Sequence, residues 1–218
     1  MLIGYPTKYG TGIEIYGDCY DLRSLHQVLH NIDQHIGELS FDGDFYMGLA
    51  YEVRKAYTGN RLEKIIGHYS EEPYYGFQFS WPDILLTLNL LRQRVGYMGN
   101  FHEVNAHLFA LEHITMEALK QYDAAAATEL VKWITEHKIA FYVYSAKALD
   151  EVRMRHYREK NGKTRFRKLN QHMKLLLPHS REHHRLSDEY DQRAKRLKCK
   201  VEDLEFPTEA WNELEFKW

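Results

Sequence analysis

The stretch Gly76 to Val95, GFQFSWPDILLTLNLLRQRV, constrains the fold more than any other, because it joins a short strand to the most apolar helix of the chain. In Phe77-Gln78-Phe79 the apolar residues alternate, which puts both rings on one face of a strand. Ser80 and Asp83 have the spacing of a capping box. Pro82 is tolerated in a first turn, where its missing N–H would have had no partner. At about 100° per residue, Ile84, Leu88, Leu91 and Val95 form one stripe, and Leu86 and Leu90 fall on nearly the opposite side. A helix apolar on two sides is expected to be buried. Asn89 lies within it, and a buried amide without partners costs roughly 1–3 kcal/mol, so a satisfied core amide is the expected outcome and a site residue the rarer one.

The N-terminal region repeats this pattern in weaker form. Ile13-Glu14-Ile15-Tyr16 alternates like a strand, and Asp18 with Asp21 caps a helix predicted to reach Leu39, in which Leu22, Leu25, Val28, Leu29, Ile32, Ile36 and Leu39 form a core-facing stripe. Two strand-to-helix units therefore predict a small shared sheet. A helix follows from Asp42 to Tyr57, with Phe45, Leu49, Val53 and Tyr57 on one face and Gly59 as its C-cap, and a shorter helical piece spans Arg61 to Ile66. Residues 68–76 read as loop. Phe101 to His113 and Met116 to His137 read as two helices, the second with Thr115 as N-cap. Ile139 to Tyr144 enters a further helix that runs to Asn161-Gly162. Another covers Thr164 to Leu177, where Phe166, Leu169, Met173 and Leu177 share a face. A charged helix from Ser180 to Val201 keeps only a thin stripe of Leu186, Tyr190, Ala194, Leu197 and Val201. Thr208 caps a last turn in which Trp211, Leu214 and Trp218 anchor the terminus.

These elements predict an α+β fold, mainly α-helical, with seven to eight helices and a small β-sheet. The expected organisation is a core over residues 1–150 and a basic helical region over residues 151–218 that packs on it. The 218 residues, 44% of them hydrophobic, suffice for one well-buried domain with a helical appendage. The opening MLIGYPTKYG has neither the cationic start nor the apolar core of a signal peptide, and no run reaches the roughly 20 apolar residues of a membrane span, so a soluble cytoplasmic protein is expected. Cys19 and Cys199 stand far apart with no CxxC spacing, which points away from a disulfide framework and from a cysteine zinc site.

Charge is segregated. Residues 1–152 carry 12 basic and 20 acidic side chains, residues 153–200 carry 16 and 5, and residues 201–218 carry 1 and 6. Such asymmetry marks either a polyanion-binding segment or a basic element that docks on an acidic surface of its own fold or a partner's.

Nucleotide and hydrolase motifs are incomplete: Asp18-Cys19 stand where a P-loop needs Lys and Ser/Thr, and neither GxGxxG nor GxSxG occurs. The thirteen histidines offer more. His179, Glu182 and His183 match HxxEH, which on a helix sets two imidazoles one turn apart beside a carboxylate, as an inverted zinc-peptidase site requires. Pro178 places His179 in the first turn or before it, and Arg181 and Arg185 would repel a cation, so a solvated helix face is the better reading. His26, His30 and Asp33, spaced i, i+4, i+7, would stack as three metal ligands or lie as polar residues at a helix boundary, the commoner case. The Arg-x4–6-His pattern of HEPN-type ribonucleases, in which Arg and His face the scissile phosphate across a dimer, occurs at Arg23/His30, Arg61/His68, Arg165/His172 and Arg167/His172. Composition alone yields roughly two or three such matches. Of the four, Arg167 and His172 are the catalytic candidates, because they lie in the basic helix.

The segment Arg153 to Lys174, RMRHYREKNGKTRFRKLNQHMK, holds nine Lys/Arg against one Glu. Arg153, Tyr157, Lys163, Arg165, Arg167 and Lys168 compose a candidate phosphate-backbone footprint or partner surface. No cofactor is called for. Because tyrosine (16) and tryptophan (4) are plentiful and no catalytic constellation is complete, the leading expectation is a bacterial-type, non-enzymatic interaction module that self-associates. The alternatives are a nucleic-acid binder using residues 153–174, and a metal-dependent hydrolase or HEPN-like ribonuclease.

Overall fold

The structure is a computed structural model and describes residues 1–36, 43–66, 73–98, 101–139, 142–204 and 217–218. The elements run β1 (Ile3–Pro6), β2 (Gly12–Gly17), α1 (Cys19–Ile36), α2 (Gly43–Tyr57), β3 (Leu62–Lys64), β4 (Tyr74–Ser80), α3 (Trp81–Val95), α4 (His102–Thr135), α5 (Val143–Arg158), α6 (Gly162–Met173), a 3-10 turn (Lys174–Leu176) and α7 (Arg181–Leu197). The fold is α+β and mainly helical, as expected. No helix among the described residues is long and apolar enough to cross a membrane. The chain divides into two compact units, one of residues 1–8, 12–137 and 218, the other of residues 9–11 and 138–217. The expected division at 150/151 falls inside α5.

In the first unit the four strands pair antiparallel in the order β1-β2-β4-β3. The two strand-to-helix units lie side by side at the centre, with Ile13 opposite Phe79 and Ile15 opposite Phe77. Ile13, Ile15 and Phe77 are fully buried and set the core face, and the other face carries Tyr5, Glu14, Tyr16 and Gln78. There Glu14 accepts from Tyr16 Oη at 3.1 Å and from Gln78 Nε2 at 2.9 Å. Tyr16 lies across Gly76 of the next strand, where an added Cβ would stand 2.4 Å from its ring. Burial and the adjacent Glu14 push the Tyr16 phenol well above its ordinary range.

Two strands departed from expectation. β1 contains Gly4 and Pro6, both poor strand formers. A side chain at Gly4 would nevertheless crowd α4, since its Cβ would lie 3.0 Å from the Ile114 carbonyl oxygen, and Pro6 is tolerated at an edge. Residues 61–66 were expected to be helical, but Leu62–Lys64 form β3, a three-residue edge strand paired with Tyr74–Gly76, so β4 also begins earlier than the loop reading allowed.

α3 follows the capping chemistry. Ser80 Oγ accepts from the Asp83 amide at 3.2 Å, while the Asp83 carboxylate takes the Ser80 hydroxyl. Its apolar residues are buried on both sides. Asn89 is a satisfied core amide: Nδ2 donates to the Trp133 and His137 carbonyls, each at 2.7 Å, and Oδ1 accepts from Gln93 Nε2 at 2.7 Å. The side chain thereby caps the carbonyl end of α4.

Asp18 Oδ1 caps α1 through the Asp21 amide at 2.7 Å. In α2 Tyr46, Leu49, Ala50, Val53 and Ala56 are buried, so Leu49 and Val53 of the predicted face lie in the core while Tyr57 is half-buried; the Phe45 side chain lies outside the described residues, and Gly59 follows at φ +75°. The two helices read over 101–137 are one element, α4, with its break eight residues later than Thr115, at Asp123 (φ −157°, ψ 96°), whose carboxylate caps Ala126. Thr115 is fully buried within the helix.

In the second unit Val152, Phe166, Leu169, Met173, Leu175 and Leu176 form the core. Asn161 begins α6 rather than ending α5: its Oδ1 accepts from the Thr164 amide at 3.0 Å, and α5 stops at Arg158. α7 buries His183, Leu186, Tyr190 and Ala194, but Leu197 is exposed. Cys19 and Cys199 are free thiols. Leu39, His68, Thr208, Trp211 and Leu214 lie outside the described residues.

Candidate functional site

The histidine clusters resolve into local partnerships. His26 and His30 stack on one face of α1, but their Nε2 atoms meet each other at 3.2 Å, and Asp33 turns away to accept the Tyr46 hydroxyl at 2.8 Å. Burial, His30 and Arg54 hold the His26 imidazolium pKa below its ordinary value. A cation there would face Arg54 and Arg23, the latter lying over the neighbouring Tyr57 ring. The HxxEH residues part at the helix start. Ser180 is the N-cap of α7, so His179 precedes the helix and is exposed, while Glu182 is half-buried. His183 is buried with both nitrogens engaged: Nδ1 donates to the Leu175 carbonyl and Nε2 accepts the Tyr142 hydroxyl. Among the described residues no group of three His, Cys, Asp or Glu side chains is placed to hold a metal ion.

Arg167 and His172, the ribonuclease candidates, sit about 140° apart around α6. Arg167 is exposed and His172 half-buried. Burial first, then Arg155 and Lys168, press the His172 pKa down to about 4, and its buried Nδ1 has no hydrogen-bond partner. The alternative pair Arg165/His172 shares a helix face, but Arg165 is committed elsewhere.

That commitment is what the sequence reading missed. Arg165 is buried: Nε donates to the His156 carbonyl at 3.0 Å, and Nη1 to the Tyr9 carbonyl at 2.9 Å and to Thr11 Oγ1 at 2.8 Å. His156, fully buried, donates from Nε2 to the Thr11 carbonyl at 2.9 Å, and its Nδ1 has no partner. Burial, with Arg165 and His172 adding to it, holds this imidazole neutral, with a pKa of about 3. The available signal was position, since Arg165 stands one helical turn before Leu169 and so beside the apolar stripe of α6.

Several cations of the basic segment are ion-paired. Arg153 pairs with Asp150 at 3.3 Å, Arg155 with Glu151 at 2.7 Å and Lys168 with Glu159 at 2.6 Å. Tyr157 is buried with Arg165. Lys163 and Arg167 are exposed. Glu182 lines a groove of about 220 Å³ together with Arg155, Leu175, Arg185, Leu186 and Glu189.

The first unit presents a different kind of surface. Trp81, Trp133, Tyr46 and Phe77 are fully buried, whereas Tyr20 on α1 and Tyr51 on α2 are exposed, and Tyr97, Phe101 and Phe109 are 88%, 42% and 55% exposed around the α3–α4 connection. His35 packs edge-on against the Phe101 ring at 5.1 Å. On α4, His102, Ala106, Phe109 and His113 recur along one exposed row, off the buried side formed by Val104, Leu108, Leu111 and Thr115. An aromatic outside its helix's core stripe was legible in the sequence.

No curated protein and no solved structure matches this chain. A family model described as a domain of unknown function, DUF6904, matches residues 2–218. With all but the first residue covered, the chain belongs to that family.

Proposed function

We propose that this protein is a non-enzymatic interaction module that self-associates through the aromatic surface at the α3–α4 connection. The observation that supports this reading is that, among the described exposed aromatic side chains of the first unit, Tyr97, Phe101 and Phe109 gather around one connection, whereas Tyr20 and Tyr51 lie singly on α1 and α2. Aromatic residues are enriched in the buried centres of protein interfaces and depleted where a surface faces only water. At roughly 200 Å² per aromatic side chain, the three offer on the order of 350 Å² of ring surface. That is below the roughly 800 Å² per partner of a standard interface, so the association is expected to be weak and reversible, in the micromolar range.

Sedimentation equilibrium from about 1 µM to about 500 µM tests it. The wild type should show a concentration-dependent dimer, and Tyr97→Ser with Phe109→Ser should shift it to monomer with an unchanged melting temperature. A wild type that stays monomeric across the range refutes the reading.

A further inference from the structure

The outer row of α4 has a spacing that is the same read from either end. His102, Ala106, Phe109 and His113 are all exposed and, at about 100° per residue, fall within an arc of about 60°. His102 with His113, and Ala106 with Phe109, share one midpoint, level with the peptide between His107 and Leu108. The helix is regular across the row, since its break comes later, at Asp123.

The row is also set apart by what it lacks. None of its four side chains is Asp, Glu, Lys or Arg, whereas the next exposed residues along the same side of the helix, Glu117 and Lys120, form an ion pair at 2.7 Å. A helix face that meets only water is normally charged or polar, and the centre of an interface is depleted of charge. The shared midpoint adds what kind of partner fits. In a two-fold contact the same patch lies on both copies, so that residue i meets residue j and j meets i. Two copies of this row satisfy that condition when the helices run antiparallel. Each Phe109 ring then stands at the level of the partner's Ala106, whose small side chain leaves room for it, and each His102 stands at the level of the partner's His113. A second copy also brings no like charge against the row.

We infer that α4 pairs antiparallel with α4 of a second copy of this chain, about a two-fold axis level with the His107–Leu108 peptide, with Phe109 over the partner's Ala106 and His102 beside the partner's His113. This rests on the self-association proposed above and gives it a partner surface, an axis and a register. Phe101, next in sequence to His102, extends the contact at each end.

The test uses the full chain with Cys19 and Cys199 changed to serine and one new cysteine per variant, His102→Cys or His113→Cys. Both positions are exposed, so neither substitution reaches the core. Each variant at about 500 µM is treated with a bis-maleimide too short to span the roughly 16 Å that separates the two positions along the helix. Alone, each variant should remain monomeric on a denaturing gel, because antiparallel pairing also holds identical positions at least about 16 Å apart. The equimolar mixture should give a covalent dimer. A second measurement needs no cysteine: Ala106→Glu and Phe109→Lys should each sediment as monomer, and their mixture should dimerise, since the register sets the two new charges against each other. A covalent dimer from either cysteine variant alone overturns this pairing. So does a wild-type dimer in sedimentation with neither the mixed cross-link nor the charge rescue, a result that leaves self-association standing. A wild type that stays monomeric at every concentration removes both.

Discussion

Lowering the pH from about 7.5 to about 5 should cost the second unit about 2 kcal/mol through His156 alone. The folded pKa is about 3, set by complete burial with Arg165 and His172 nearby, whereas the unfolded chain titrates near 6.5. Below 6.5 the unfolded state therefore binds a proton that the folded state refuses, and stability falls by about 1.4 kcal/mol per pH unit until the folded group itself titrates. Stability from this residue is complete above pH 6.5 and is lost progressively toward pH 3. His172, held down to about 4 by burial, acts in the same direction. Other groups titrate over the same range, so the decisive quantity is a difference. His156→Gln retains a donor near the Nε2 position for the Thr11 carbonyl but cannot be protonated. Urea unfolding followed by circular dichroism at half-unit steps should give a wild-type curve steeper than the variant's by about 1 kcal/mol per unit between pH 6.5 and 5. Parallel curves would show that His156 is hydrated or paired in solution, and that the orphaned Nδ1 does not describe it.

Four further outcomes follow from the packing. Leu88→Ala should cost about 2–5 kcal/mol in chemical denaturation. Arg92→Ala, which the sequence alone would treat as a surface change, should cost about 1–3 kcal/mol, because it strands the buried Glu112 carboxylate 3.2 Å away, whose pKa burial already raises. His183→Ala should lower the melting temperature by leaving the Tyr142 hydroxyl and Leu175 carbonyl unpaired, while zinc measured in the purified wild type stays far below one ion per chain; stoichiometric zinc lost in this variant would revive the peptidase reading. Gly12→Ala places a Cβ 2.0 Å from the Phe79 carbonyl oxygen and should destabilise by more than 2 kcal/mol, with amide exchange rising first in β2 and β4.

What could be read from the sequence was what local chemistry decides. The Ser80–Asp83 cap, the Phe77/Phe79 alternation and the two-sided apolar pattern after Ile84 are all settled within a few residues, and β4–α3 formed as those signals require. Gly4 and Pro6 instead argue locally against a strand, and only the approach of the Ile114 backbone shows why a residue without a side chain belongs there. The helix break in α4 was hidden for the opposite reason, since the alanines after Asp123 are strong helix formers while the break lies at the aspartate that caps them. Asn161-Gly162 reads equally well as an end or a beginning, and its use depends on Thr164. For the candidate sites, residue type was visible but occupancy was not. His183 looks like a ligand until Tyr142, 41 positions earlier, takes its second nitrogen. Arg165 looks like a phosphate contact until the Tyr9 carbonyl and the Thr11 hydroxyl, more than 150 positions away, claim its guanidinium.

The membership of Tyr9–Thr11 in the second unit has a consequence for how such a gene can be divided or recombined. The chain passes between units after residues 8, 11, 137 and 217, so no single cut yields two pieces that each contain all of their own parts. A fragment beginning at Lys138 inherits Arg165 and His156 without the carbonyls they hold, and a fragment ending at His137 keeps a hairpin loop whose residues belong elsewhere. Exchange of either half between relatives would carry only part of a polar cluster, and only a piece that spans residues 9–165 transmits it whole. Split-protein tags and truncation libraries built on this scaffold should therefore recover function only at breakpoints that leave residues 9–11 in the same polypeptide as α5 and α6.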